Sequence, residues 1–225
     1  MMKKAALGAL LVLFILGTSA AWAQEGSTKV TKDAPKFWVV PALGYRTSAD
    51  FGIISEDVDY SRIRFDSGFA YGLSFGYRLS EYLSIEAMWS HAGTTVEGVY
   101  SGEEPLPPNE TLFGAAEDQL HANLILSAGY SIGAAKPYFL LGLGATLINP
   151  EGDVASVSRF SWSLGTGFDY MFSKSFGFRA QAKFSPTYIS TTEDILFEWT
   201  GGYQATSSRN NMTQWEFMGG LIFRF

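Results

Sequence analysis

Hydrophobic and polar positions alternate with a period of two along most of the chain. In the last segment Trp215, Phe217, Gly219, Leu221, Phe223 and Phe225 fall on one side, and Gln214, Glu216, Met218, Gly220, Ile222 and Arg224 on the other. Side chains of a strand point alternately to its two faces, so this spacing predicts a strand with one apolar stripe. The preceding segment repeats the pattern: Phe176, Phe178, Ala180, Ala182, Phe184 and Tyr188 oppose Arg179, Gln181, Lys183, Ser185 and Thr187. Helical spacing would scatter both kinds over every side.

Six more segments read the same way. Their apolar faces run Phe37 to Tyr45, Phe69 to Leu79, Leu83 to Trp89, Leu120 to Tyr130, Phe139 to Leu147 and Phe160 to Tyr170. The opposite faces are mostly Gly, Ser, Ala and Thr, with an occasional charge such as Glu86. Eight strands are therefore expected. The connections alternate in length. They are tight around Ser80-Glu81, Gly133 to Lys136 and Ser173 to Ser175, and long and polar at Thr47 to Phe65, Ala92 to Glu117, Asn149 to Val157 and Ser190 to Asn210. Short turns at one rim and long loops at the other fit an up-and-down meander.

Which face meets water decides the class. A soluble barrel would show its polar face to solvent, and such a face normally carries many Lys and Glu. Here that face is small and sparsely charged, which suits a crowded interior. The bulky face then points outward, where only lipid tolerates it. Hydrocarbon offers no partner to a bare strand edge, so a spanning sheet must close on itself. Aromatics near predicted strand ends, including Phe37, Tyr45, Phe69, Tyr77, Trp89, Tyr130, Phe160, Tyr170, Tyr188, Trp215 and Phe225, suit two interfacial girdles. The expected fold is all-β, an eight-stranded antiparallel up-and-down transmembrane β-barrel.

Composition narrows the options further. Among 225 residues there are 18 Phe, 11 Tyr, 6 Trp, 24 Gly and no Cys, and the formal charge is -6. The apolar content excludes a disordered chain, and the acidic balance argues against a nucleic-acid binder. Without Cys there is no disulfide scaffold, zinc-thiolate site or thiol nucleophile. Residues 1–23 read as a signal peptide: Lys3 and Lys4, then an apolar run from Ala5 to Leu16, then Ala21-Trp22-Ala23 as the cleavage site. Residues 24–225 form the expected barrel domain.

Three features resemble the OmpA-like, opacity-type family of outer-membrane barrels. They are the closing strand Trp215 to Phe225, the hairpin from Leu164-Gly165-Thr166-Gly167-Phe168-Asp169-Tyr170 to Gly177-Phe178-Arg179-Ala180-Gln181, and the signal peptide followed by a first strand. The resemblance implies a location in the outer membrane of a Gram-negative bacterium, beside lipid and lipopolysaccharide. It also implies that Leu221, Phe223 and Phe225 form the C-terminal signal read by the barrel-insertion machinery. It is specific for fold and broad for role, since members include structural proteins, adhesins and small pores.

Four inward charges stand out: Glu86, Arg179, Lys183 and Glu216. Buried charges need partners, so a salt-bridge network filling the lumen is expected, with Arg179 and Lys183 facing Glu216 and Glu86 approaching from the third strand. A gate or selectivity ring is the alternative, which would make the protein a small ion-conducting channel. Arg78 and Arg224 are expected at the rim, outside the network. His91 and His121 are the only histidines, close to Ser90 and Asp118. They raise a hydrolase or metal reading, but Ser90 and His91 point to opposite faces of a strand. A lipid- or peptide-modifying enzyme is thus the weakest alternative, and no catalytic residue, cofactor or metal is expected. The long loops carry acids, including Glu56, Asp57, Asp59, Glu97, Glu103, Glu104, Glu110, Glu117, Asp118, Glu193, Asp194 and Glu198, and an apolar stretch Ile195 to Trp199. They are the expected contact surface for a host or surface partner.

Overall fold

The computed structural model describes residues 35–47, 49–54, 60–100, 110–152, 156–188, 206–207 and 211–225. The expected signal peptide, the stretch Ile195 to Trp199 and most of the loop acids lie outside these residues. The strands are β1 (Phe37–Arg46), β2 (Ala49–Ile54), β3 (Tyr60–Phe65), β4 (Gly68–Arg78), β5 (Leu83–Tyr100), β6 (Glu110–Ser127), β7 (Ala135–Pro150), β8 (Val157–Met171), β9 (Phe176–Tyr188), β10 (Thr206–Ser207) and β11 (Asn211–Arg224).

Eight of them form a closed antiparallel ring in the order β1-β4-β5-β6-β7-β8-β9-β11, and β11 returns to β1. Phe37 and Phe225 exchange backbone hydrogen bonds of 3.0 Å each way, sealing first strand to last. The seam is interrupted once. The β1–β11 ladder passes from Val39–Phe223 to Ala42–Gly220 across Pro41, which has no N–H to give. Pro186 leaves the same kind of gap in β8–β9, between Leu164–Phe184 and Ser161–Thr187.

The alternation sorts side chains as its period dictates. Leu43, Phe69, Phe75, Leu120, Leu143, Phe160, Phe217 and Leu221 are exposed on the outer wall. Ser74, Glu86, Ser90, Gln119, Asn123, Ser161, Lys183 and Glu216 are buried within. Aromatics pair at both ends of the outer wall. Phe37–Tyr77 and Phe176–Phe223 (4.9 and 5.4 Å between centroids) mark the short-turn rim. Phe184–Trp215 and Tyr71–Trp89 (5.2 and 5.8 Å) mark the opposite level.

Two of the long connections prove to be wall. Most of Ala92 to Glu117 continues β5 and β6, whose ladder runs on to Gly98–Glu110. Within Thr47 to Phe65, β2 and β3 pair and extend β1 and β4 upward. From His91 to Tyr100 the strand runs on for about 30 Å along its own tilted direction, at roughly 3.3 Å per residue. The short polar stretches and glycines that suggest loops are here outer wall above the aromatic belt, where polar side chains need no lipid. The top of the lumen holds an apolar layer of Ala49, Ile63, Phe65, Val96, Ala115, Ile148 and Met212.

The lumen is also not filled by small residues alone. Trp38, Val40, Ile125, Tyr138, Leu140 and Ile222 form a second apolar layer near the short-turn rim. Glycines permit close approaches of two kinds: a Cβ on Gly76 would collide with the Trp38 indole, and one on Gly144 with the backbone of the neighbouring strand at Leu120 and His121. Gly144→Val should therefore destabilise the barrel by about 3 kcal/mol. Gly93→Ala, with open space at its Cβ, should change stability by less than about 0.5 kcal/mol. Urea unfolding from lipid vesicles, read as loss of the fast-migrating unboiled band, checks both.

Candidate functional site

The candidate site is the lumen, where two separate charge clusters sit at different heights. Arg179 and Lys183 lie four residues apart on β9, about 13 Å along a strand. Their neighbours on β11 are Gly220 and Glu216 respectively. Lys183 therefore meets Glu216, its Nζ 2.9 Å from Oε1. Arg179 instead reaches across the barrel to Glu86 on β5.

The upper cluster centres on Arg46, the last residue of β1. Its guanidinium donates to Glu216 Oε2 from Nε (3.1 Å) and Nη2 (2.6 Å). It also donates to Glu117 Oε2 (3.2 Å) and Ser90 Oγ (2.8 Å). Ser90 in turn donates to Glu216 Oε2 at 2.9 Å. Gln214 on β11 spans the lumen to donate to Glu117 on the opposite strand, at 2.8 Å. Arg46 and Glu117 lie just beyond the alternating segments expected from the sequence, which end at Tyr45 and begin at Leu120. Extending the alternation to Arg46 and back through Gln119 to Glu117 turns both inward.

The lower cluster centres on Arg179. Its Nε and Nη2 donate to the two oxygens of Asp169 on β8, at 2.7 and 3.0 Å. Its third nitrogen pairs with Glu86, which also accepts from Trp38 Nε1 (3.2 Å) and Asn123 Nδ2 (3.3 Å). The guanidinium carbon lies 5.5 Å from the Trp38 ring centroid and 4.9 Å from that of Tyr138. This arrangement adds cation–π attraction to the ion pairs. Arg224, expected outside any network, donates to Asp169 Oδ2 at 2.6 Å. Arg78 makes no ion pair among the described residues.

Each cluster balances its charges: Arg46 and Lys183 with Glu117 and Glu216 above, Arg179 and Arg224 with Glu86 and Asp169 below. Compensation and hydrogen bonding are what make buried ions tolerable. Between the clusters Met88 Sδ lies 3.5 Å from Gln181 Nε2 and 3.9 Å from Lys183 Nζ.

The two histidines occupy opposite faces. His121 is inside, its Nε2 3.1 Å from Ser161 Oγ, and both residues are buried from solvent. His91 is outside, its Nδ1 3.0 Å from Asp118 Oδ1, and that carboxylate also accepts from Trp89 Nε1 (3.0 Å) and Asn149 Nδ2 (3.3 Å). Asp118 and Glu117, expected on a loop, thus belong to the outer and inner wall of β6. Among the described residues no group of three His, Asp or Glu is placed to hold a metal.

A family model described as outer membrane protein beta-barrel domain matches residues 9–224. No curated protein matches the sequence. Among solved structures, the outer membrane protein OprG from Pseudomonas aeruginosa superimposes with a TM-score of 0.59 at 15% identity, covering 85% of this chain and 96% of its own. Neisserial surface protein A superimposes with a TM-score of 0.52 at 14% identity, covering 84% of this chain and 97% of its own.

Glu216 compensates two buried cations at once, so Glu216→Ala should cost about 3–5 kcal/mol. Lys174→Gln, on an exposed turn, should change stability by less than about 0.5 kcal/mol. Denaturant titrations of the refolded barrels measure the difference.

Proposed function

Because the chain belongs to the outer membrane protein β-barrel domain family, we propose that it serves a structural and surface-interaction role as a closed, non-conducting barrel. It resides in the outer membrane. Short turns of such barrels face the periplasm and long loops the exterior. The raised wall and its loops are then the working surface, next to lipopolysaccharide and open to a host or surface partner. Residues 1–23 export the chain, residues 24–225 form the barrel, and Leu221, Phe223 and Phe225 present the signal for the barrel-insertion machinery. These three side chains lie exposed on the outer wall.

One observation carries the non-conducting reading: four consecutive levels of the lumen are closed by different means. From the periplasmic end they are the Arg179 cluster with Trp38 and Tyr138, the Met88–Gln181 level, the Arg46 cluster and the apolar layer around Phe65. An ion would have to break compensated pairs at two heights and then enter a hydrocarbon layer. The same closure keeps substrate from His121 and Ser161, which favours a non-enzymatic role.

Planar-bilayer recording of the refolded chain tests this. Wild type should be silent. Arg179→Ala and Glu216→Ala should each remain nearly silent, because the other levels still close the path. Combining both with Phe65→Ala should produce discrete current steps. Steady wild-type current would overturn the reading and make the same residues a selectivity filter.

A further inference from the structure

Beside the lower cluster, two further cations that make no ion pair among the described residues, Arg78 and Lys136, stand at the periplasmic mouth next to Arg224. Arg78 ends β4, Lys136 lies at the start of β7 and Arg224 ends β11, and all three line one recess together with Ser84, Ser127 and the acids Glu81 and Asp169. Strands distant in sequence bring these cations close enough for Arg78 to repel both Lys136 and Arg224. Two carboxylates, Glu81 and Asp169, share the recess with the cations Arg78, Lys136, Arg179 and Arg224, so the cations outnumber them. Asp169 is already engaged by Arg179 and Arg224. Lys136 Nζ donates to the main-chain oxygen of Glu81, at 3.2 Å, and not to its carboxylate. Arg224 Nε is buried and has no acceptor among the described residues. A buried donor left unmade is costly, and like charges gathered without an anion add to that cost.

We propose that this mouth is an oxyanion site, in which Arg78, Lys136 and Arg224 Nε bind one phosphate group presented from the periplasmic side. The recess, about 20 Å³, admits a single oxygen-sized atom. One phosphate oxygen enters it and accepts from Arg224 Nε. The remaining oxygens lie at the rim, within reach of the longer Arg78 and Lys136 side chains and the serine hydroxyls. Charge-assisted bonds from two guanidinium groups supply geometry as well as attraction. The group comes from an inner-leaflet lipid headgroup or from a soluble periplasmic phosphate.

The test uses the refolded full barrel in a non-ionic detergent, titrated with inorganic phosphate at constant ionic strength. The readout is the side-chain Nε–H resonance of Arg224. Wild type should give a saturating shift. Arg78→Gln/Lys136→Gln should weaken binding about tenfold, the scale of losing two charge-assisted contacts at an exposed rim. Glu81→Gln, which enlarges the positive surplus, should tighten it about threefold, and Lys174→Gln on another periplasmic turn should leave it unchanged. Heat-modifiable migration confirms that each variant is folded. If the double variant does not fold, Glu81→Gln alone decides: no tightening overturns the proposal. A linear, unsaturating shift, or equal affinity in the double variant, overturns it as well. Repeating the titration in phosphatidylglycerol nanodiscs separates the sources. Loss of the phosphate response there assigns the site to the lipid headgroup, and a retained response assigns it to soluble phosphate.

Discussion

A lipid bilayer supplies no hydrogen-bond partner to a backbone amide, and every other feature of this chain follows from that constraint. It forces the first strand onto the last, so that Phe37 and Phe225 complete the ring. Closure creates an interior too narrow for bulk water. That interior must then satisfy its own polar groups, strand by strand, with side chains from the opposite wall. Even the two ladder gaps keep to this logic, since Pro41 and Pro186 interrupt pairing at residues that have no N–H to satisfy.

The charge clusters answer the second half of the constraint. Each places two cations beside two carboxylates and ties strands that are three or four places apart in the ring. Such pairs add little net stability over a well-packed apolar core, yet removing one member strands the rest. Their contribution is geometric: Arg46 joins β1 to β5, β6 and β11, and Arg179 joins β9 to β5 and β8. They hold the cross-section closed from within. The wall above the aromatic belt then stands on a rigid base, capped by an apolar layer that no lipid could have supplied.

The division of labour between the faces also explains where chemistry sits. A histidine beside a serine occurs inside, at His121 and Ser161, and a histidine beside an aspartate outside, at His91 and Asp118. One sheet separates them, so the elements of a hydrolytic triad are present without ever meeting. At the short-turn end, Arg78, Lys136 and Arg224 are brought together from β4, β7 and β11.

Period-two alternation is local, so the eight strands, the lipid-facing stripe and the inward set including Glu86, Arg179, Lys183 and Glu216 were legible along the chain. Closure followed from physics alone, because a spanning sheet with free edges cannot exist in hydrocarbon. Two things were not legible. The height of the wall escaped, because above the belt the outer face turns polar while the lumen turns apolar around Phe65 and Val96, so the lipid-facing stripe that marks the strands below disappears; Glu117 was lost with it. The partners of the inward charges escaped too. Residues that share a face need not share a height, and the four places separating Arg179 from Lys183 put them in different clusters. Which side chain lies across a barrel is set by the stagger of eight strands around the ring, a property of the closed structure that no stretch of sequence carries.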